Sequence, residues 1–202
     1  MKLSRSARIV AVALAGVLLV LITIAITAGA DASKEGRRTM IKVGDIAPDV
    51  TFINPEPEKG ESPSVRLSDF RGKNNVVLAF YPKAFTPDCT KQMCGYRDSI
   101  NAFREANTEV IGISLDNARK SAAFKKEHGL PFLVIADPER VITNAFAVPV
   151  TNLLVVRFTK RCVFLIDKEG IVRYVNPSYS VSRDAAPLLE QIRQLNVKDA
   201  AR

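Results

Sequence analysis

Val76-Val77-Leu78-Ala79-Phe80-Tyr81-Pro82-Lys83-Ala84-Phe85-Thr86-Pro87-Asp88-Cys89-Thr90-Lys91-Gln92-Met93-Cys94 is the stretch on which the fold turns. Its first six residues are a continuous apolar run of strand length, the pattern of a central strand covered on both faces. The chain then passes two prolines and enters a helical stretch, read over Thr90 to Asn107, with Ile100 and Phe103 supplying apolar contact. The same alternation continues downstream. Val110 to Ser114 reads as a buried strand, Ser121 to His128 as a helix stopped by Gly129 and Pro131, and Phe132 to Ile135 as a third strand. Glu139 to Ala147 is a short helix, and Cys162 to Ile166 turns through Asp167-Lys168-Glu169-Gly170 into Ile171 to Val175 as a hairpin. Ala185 to Leu195 closes the chain at helical spacing. Strands alternating with helices predict a mainly parallel α/β sheet with antiparallel strands added by the final hairpin. Upstream, Asn54 to Pro63 carries three prolines and a glycine and reads as a loop-like insertion.

The loop between strand and helix concentrates the chemistry. Cys89 falls near the first helical turn, where unpaired backbone N–H groups and the positive end of the dipole favour a thiolate. Thr86, three residues earlier, presents a hydroxyl to whatever approaches the sulfur, while Pro82 and Pro87 fix the intervening backbone. A lone cysteine is ordinarily an inert core residue. This spacing argues against that reading.

Pro82-x-x-x-Thr86-x-x-Cys89 resembles the active-site pattern of the peroxiredoxin family, the AhpC/TSA superfamily, and Cys94 five residues on is similar to the atypical two-cysteine, peroxiredoxin Q or bacterioferritin comigratory protein branch. Other matches fall in order along residues 42–197: Val43-Gly44-Asp45-Ile46-Ala47-Pro48-Asp49, Leu67-Ser68-Asp69-Phe70-Arg71-Gly72-Lys73 and Tyr96-Arg97-Asp98. Arg161, leading into Val163-Phe164-Leu165-Ile166-Asp167, occupies the place of the family's active-site arginine.

The resemblance implies a thioredoxin-like fold, a central mixed β-sheet flanked by helices, and a thioredoxin-dependent peroxidase. Its substrates would be hydrogen peroxide and organic hydroperoxides, its electrons would come from a thioredoxin-like dithiol, and the chain would work as a monomer without a cofactor or metal. Cys89 is then the peroxidatic cysteine and Cys94 the resolving one. Arg161 stabilises the thiolate and donates to the peroxide, Thr86 and Pro82 shape the pocket, and the Cys89 sulfenic acid condenses with the second thiol. Two positions depart from the branch. Asp88 stands where glycine is usual and sets a carboxylate beside the thiolate in sequence, and Gln92 stands where glutamate is usual. A membrane-tethered thiol–disulfide oxidoreductase is the alternative enzyme, but its Cys-x-x-Cys motif is missing. A redox-sensing or chaperone-like module without turnover is the alternative from another class.

Composition sets the outer limits. With 202 residues, 47% of them apolar, the chain suits one folded domain. Three cysteines are too few for a disulfide scaffold, and one histidine, His128, leaves little for a zinc site or a Cys–His pair. Neither a Gly-rich phosphate loop nor a basic stripe interleaved with aromatics occurs, so no nucleotide or nucleic-acid site is expected. The net charge of +8 is partly local: Lys2, Arg5 and Arg8 have no acidic partner before Asp31, and the remainder carries +5 in mixed-sign stretches. Cys162 neighbours Arg161 on one strand, so the two point to opposite faces and Cys162 is expected in the core.

Those three basic residues precede Ile9 to Ala30, 22 residues without a charge. Such a run is long enough to span a bilayer as a hydrophobic helix, at about 1.5 Å per residue against roughly 30 Å of hydrocarbon. Residues 1–30 therefore read as a membrane anchor or a signal sequence. The length favours the anchor, whereas Ala28-Gly29-Ala30 and Ala30-Asp31-Ala32 resemble cleavage sites. Either places the domain outside the cytoplasm, anchored or secreted. Residues 31–41 read as a tether, 42–197 as the domain and 198–202 as a tail.

Overall fold

Period-two alternation in the strand before Pro82 sorts the molecule into two cores. Val77, Ala79 and Tyr81 face one side, Val76, Leu78 and Phe80 the other, and all six are buried. The computed structural model describes residues 39–54, 57, 62–153, 156–180 and 185–200. The apolar segment 9–30 lies outside them, and among the described residues no helix is long and apolar enough to cross a membrane.

The elements follow in chain order. Strands β1 (Thr51–Ile53) and β2 (Ser64–Arg66) form an antiparallel hairpin closed by the Asn54 N–H and the Pro63 carbonyl at 2.9 Å. The proline-rich insertion is therefore the loop of that hairpin. Strand β3 (Asn75–Phe80) leads into helices α1 (Pro87–Asp98) and α2 (Ile100–Glu105) and then strand β4 (Thr108–Ser114). Helix α3 (Ala118–Glu127), strand β5 (Leu133–Ala136) and helix α4 (Val141–Ala145) come next. A second hairpin, β6 (Val150–Leu153) with β7 (Val156–Thr159), precedes β8 (Cys162–Ile166), β9 (Val172–Asn176) and α5 (Ala186–Ala200).

The main sheet has the order β5-β4-β3-β8-β9. Its β3–β4 and β4–β5 pairs are parallel, while β3–β8 and β8–β9 are antiparallel, the mixed sheet expected. One face packs Met93, Tyr96, Phe103 and Phe124 with Leu188, Leu189 and Ile192 of α5. The other packs Phe52, Leu67, Ile142, Phe146 and Phe164, with Phe164 5.8 Å from Phe80 and 5.2 Å from Phe146 between ring centroids. Each such side chain contributes about 1.5–3 kcal/mol by leaving water. Gly112 of β4 has a steric task where α1 crosses it: a Cβ there would lie 3.2 Å from Met93 Sδ and 3.4 Å from Tyr81 Cε1.

Three sequence readings need correction. The helix read over Thr90 to Asn107 starts earlier, with Thr86 as N-cap and Pro87 in the first turn, where proline's fixed φ suits it. It also breaks at Ser99 (φ −102°, ψ 9°), whose N–H is shared between the Gly95 and Tyr96 carbonyls at 3.2 Å each, so α2 is a separate helix. The β6–β7 hairpin was not anticipated. Finally, Met40 and Ile41, read as the end of the tether, already belong to the folded unit: they pack on the Phe164 face, and the Ile41 N–H meets the Phe146 carbonyl at 3.4 Å.

Burial has a consequence at high pH. It pushes the Cys162 thiol up from 9.0 to about 12, and it raises the Tyr81 and Tyr96 hydroxyls as well. The native state therefore keeps protons that the unfolded chain releases sooner, so their contribution to stability is intact below pH 9 and lost as the pH climbs toward 12. Urea unfolding midpoints are expected to fall steadily from pH 9 upward. A flat profile across that window would contradict the burial of these three groups.

Candidate active site

Cys89 sits in the first turn of α1 and is 1% exposed. The backbone ladder of α1 opens with the Thr90 N–H bonded to the Thr86 carbonyl at 2.9 Å, so the Asp88 and Cys89 N–H groups lie ahead of it. Thr86 caps the helix by its backbone alone. Its hydroxyl makes no capping bond and instead donates to the Lys83 carbonyl at 3.0 Å. Phe85, just before it, holds φ at +66°, a left-handed conformation that is costly for a bulky residue. Its ring packs on Phe124 and on His128, at centroid distances of 5.2 and 6.1 Å.

A cation reaches the sulfur from the start of the neighbouring strand. The β3–β8 register pairs Phe80 with Cys162, which puts Arg161 next to the loop that follows β3. Arg161 Nη2 lies 3.3 Å from Cys89 Sγ, while Nη1 donates to Gln92 Oε1. Gln92 in turn donates through Nε2 to Tyr96 Oη at 3.2 Å. Gln92 and Tyr96 are buried at 4% and 1% exposure, which fixes the guanidinium from behind. The Arg161 carbonyl is held too, by the Tyr179 N–H at 3.2 Å. Here a neutral amide orients the cation without neutralising it, so its charge acts on the sulfur.

The structure brings Cys89 and Arg161 together, with Thr86 at the N-cap of the Cys89 helix and Pro82 in the loop that follows β3. Pro82 is anchored through its neighbour: the Tyr81 N–H donates to the Ile113 carbonyl and the Tyr81 carbonyl accepts from Thr159 Oγ1, both at 3.0 Å. Cys94 is half-buried on α1, five residues beyond Cys89, and all three thiols are free. Cys162 belongs to the opposite core, with its sulfur 4.0 Å from Met40 Sδ. Asp88 is exposed, so the helix turns its carboxylate outward, away from the buried sulfur. His128 ends α3, where its carbonyl accepts from Arg97 Nη1 at 2.8 Å. Among the described residues no group of three or more His, Cys, Asp or Glu side chains could hold a metal ion.

Two features escaped the sequence reading. Gln92 is the partner of Arg161; the signal for it was the spacing Cys89, Gln92, Met93, Tyr96, one buried helical stripe. The carboxylate of Asp116 accepts the Ala84 N–H at 2.7 Å across 32 residues, a contact with no local signature.

The AhpC/TSA family profile matches residues 43–175. Peroxiredoxin Bcp of Bacillus subtilis (strain 168) is 37% identical over 164 residues, which cover 78% of this chain and 99% of that protein. The chloroplastic peroxiredoxin Q of Triticum aestivum is 35% identical over 156 residues, covering 77% of this chain and 68% of its own. The crystal structure of peroxidoxin BcpB from Mycobacterium tuberculosis superposes with a TM-score of 0.67 at 32% identity, covering 76% of this chain and 97% of that one. The fold is thus a thioredoxin-like α/β fold with a mixed central sheet.

Arg161→Met should slow the alkylation of Cys89 by iodoacetamide at neutral pH by about tenfold, because a charge-assisted contact to the sulfur is lost. Stopped alkylation time courses read by peptide mass measure it directly. Equal rates in the two proteins would remove Arg161 from any role at the sulfur.

Proposed function

Because the chain belongs to the AhpC/TSA family of peroxiredoxins, in its Bcp/peroxiredoxin Q branch, we propose that its thiol peroxidase activity runs through Cys89 as the peroxidatic and Cys94 as the resolving cysteine. The observation that carries this reading is the Arg161 guanidinium 3.3 Å from Cys89 Sγ at a helix N-terminus. One cation serves twice. It holds the thiolate before the reaction and meets the negative charge that grows on the peroxide oxygens during it.

The thiolate attacks one oxygen of a hydrogen peroxide or hydroperoxide molecule. The S–O bond forms as the O–O bond breaks, the proton of the attacked oxygen passes to the departing one, which leaves as water or alcohol, and the Cys89 sulfenate takes a proton from solvent. Thr86 has already given its hydrogen to Lys83, so toward substrate it offers lone pairs that accept from the peroxide O–H. The Cys89 N–H, ahead of the helical ladder, is a donor for the oxygen under attack. Positioning and fixed charge do the work, and no acid–base relay through the single histidine is needed.

Cys89 is then a sulfenic acid. Cys94 attacks its sulfur, the S–S bond forms, and the hydroxyl departs as water. Five residues of α-helix separate the sulfurs' backbones by about 7.5 Å of rise and roughly 140° of rotation. A disulfide needs Cα atoms within about 4.4–6.8 Å and converging Cβ vectors, so α1 must unwind locally to make it. Gln92 and Met93 leave their buried places in that step, and the Arg161–Gln92 bond breaks. Arg97, tied to the His128 carbonyl, and the break at Ser99 mark where the intact structure resumes. A thioredoxin-like dithiol returns the disulfide to two thiols and leaves oxidised, on a chain that carries both sulfurs itself.

Cys89→Ser should lower peroxide consumption by about a thousandfold or more, whereas Cys162→Ala should leave most of it. Cys94→Ser should consume one equivalent of peroxide and then stall, or overoxidise at Cys89, unless an external thiol is supplied. Peptide mapping of the oxidised wild-type protein should find Cys89 joined to Cys94. A bond from Cys89 to Cys162 or to a second chain would remove Cys94 from the mechanism, and full activity in Cys89→Ser would overturn the reading as a whole.

Residues 9–30 support a second part of the proposal, that the domain works outside the cytoplasm, tethered to a membrane or released after cleavage. The full-length protein should stay with membranes through high-salt and alkaline washes. Release by those washes, or an N-terminus near Asp31, would identify a removed signal.

A further inference from the structure

We propose that Asp116 is a positioning residue for the hydroxyl of Thr86, acting through the one peptide group that joins Lys83 to Ala84. The N–H end of that group donates to Asp116 Oδ2 at 2.7 Å, and its carbonyl end accepts the Thr86 hydroxyl at 3.0 Å. The three groups form a chain: carboxylate, peptide, hydroxyl. A charged acceptor on the N–H polarises the peptide and makes its carbonyl a stronger acceptor in turn, because serial hydrogen bonds reinforce one another where water is scarce. The Thr86 hydrogen is thereby kept on Lys83, and its lone pairs stay turned toward the space above Cys89. A Thr86 hydroxyl released from Lys83 could instead cap its own helix or offer its hydrogen to the thiolate. Either would spoil the acceptor that the peroxide needs.

Asp116 is built to hold still. Its side chain is 8% exposed, Oδ2 also accepts from Ser114 Oγ at 3.1 Å, and Oδ1 takes the Lys120 ammonium at 2.8 Å. Its own N–H donates back to Ser114 Oγ at 3.3 Å. Ser114 is the last residue of β4 and is fully buried, while Lys120 stands in the first turn of α3, itself capped by Asn117. The carboxylate is thus fixed to a strand end and a helix start, and it transfers that rigidity to a loop that must keep Phe85 left-handed. An ordinary surface ion pair would not reach across to a backbone N–H in another loop.

The proposal rests on the Cys89 peroxidase reading, and a double-mutant cycle separates the two. Asp116→Asn keeps the shape and loses the charge. It should lower kcat/KM for hydrogen peroxide about tenfold, the size of a weakened charge-assisted hydrogen bond, without slowing the alkylation of Cys89 by iodoacetamide. Thr86→Val should cost at least as much, and Asp116→Asn placed on top of Thr86→Val should change the rate less than about twofold, since the group it acts on is gone. Thr86→Ser, which keeps the hydroxyl, should restore the sensitivity to Asp116→Asn. Equal losses from Asp116→Asn with and without Thr86 would overturn the proposal, as would alkylation falling in step with peroxide turnover. Full activity in Cys89→Ser would instead fault the peroxidase reading, whatever the cycle gives.

Discussion

A guanidinium held against a buried sulfur is the contact on which the rest of this structure depends. Arg161 and Cys89 are 72 residues apart, and only the antiparallel pairing of β8 with β3 brings them within 3.3 Å. The sulfur is buried, where a lone thiolate would be expensive, so the cation and the helix terminus must both be there before the chain folds to advantage. Gln92 settles how the cation is held. An acidic residue in its place would take part of the charge that Arg161 directs at Cys89, whereas the amide only orients it.

Much of this was legible in the linear chain. Apolar runs gave away β3, β4, β5 and β8, because strands covered on both faces need no polar alternation. The order of prolines, threonine and cysteine disclosed the loop, and the Asp167 to Gly170 turn disclosed the hairpin that carries Arg161 beside it. What stayed hidden had no local cause. The β6–β7 pairing ends at Leu153 opposite Val156, and the sequence joining the two strands contains none of the Gly, Asn, Asp or Pro that mark a turn. The break at Ser99 carries no glycine or proline either. Gln92 shares a buried helical stripe that the spacing shows, but its partner lies 69 residues away and that of Asp116 lies 32 away, so only the folded sheet discloses the pairings.

The proposed chemistry asks contrary things of α1. Its first turn must be rigid enough to present sulfur, N–H and hydroxyl to a small substrate, yet the same helix must open for the two sulfurs to meet. The division of its contacts reconciles these demands. Toward the N-terminus it is held by two polar contacts to Arg161, through Cys89 and Gln92, and by Met93 in the core; toward the C-terminus Tyr96 packs at 5.9 Å from Phe103 and 6.3 Å from Tyr179 between ring centroids. Contacts of a flexible thioether are easier to remake than those of a ring packed between two others. Opening is therefore cheapest where the cysteines are.

Gly112 shows how such an arrangement is spaced. The strand under α1 approaches so closely that even a methyl group would press on the Met93 sulfur at 3.2 Å, and behind it waits the Tyr81 ring. Neither residue reacts with anything, but the separation between them sets the height of Cys89 above the sheet. A larger residue at 112 would lift the helix unless a shorter one arrived at 93 together with it. The alignment of Cys89 with Arg161 is therefore tied to positions 112 and 93 as a pair rather than to either alone.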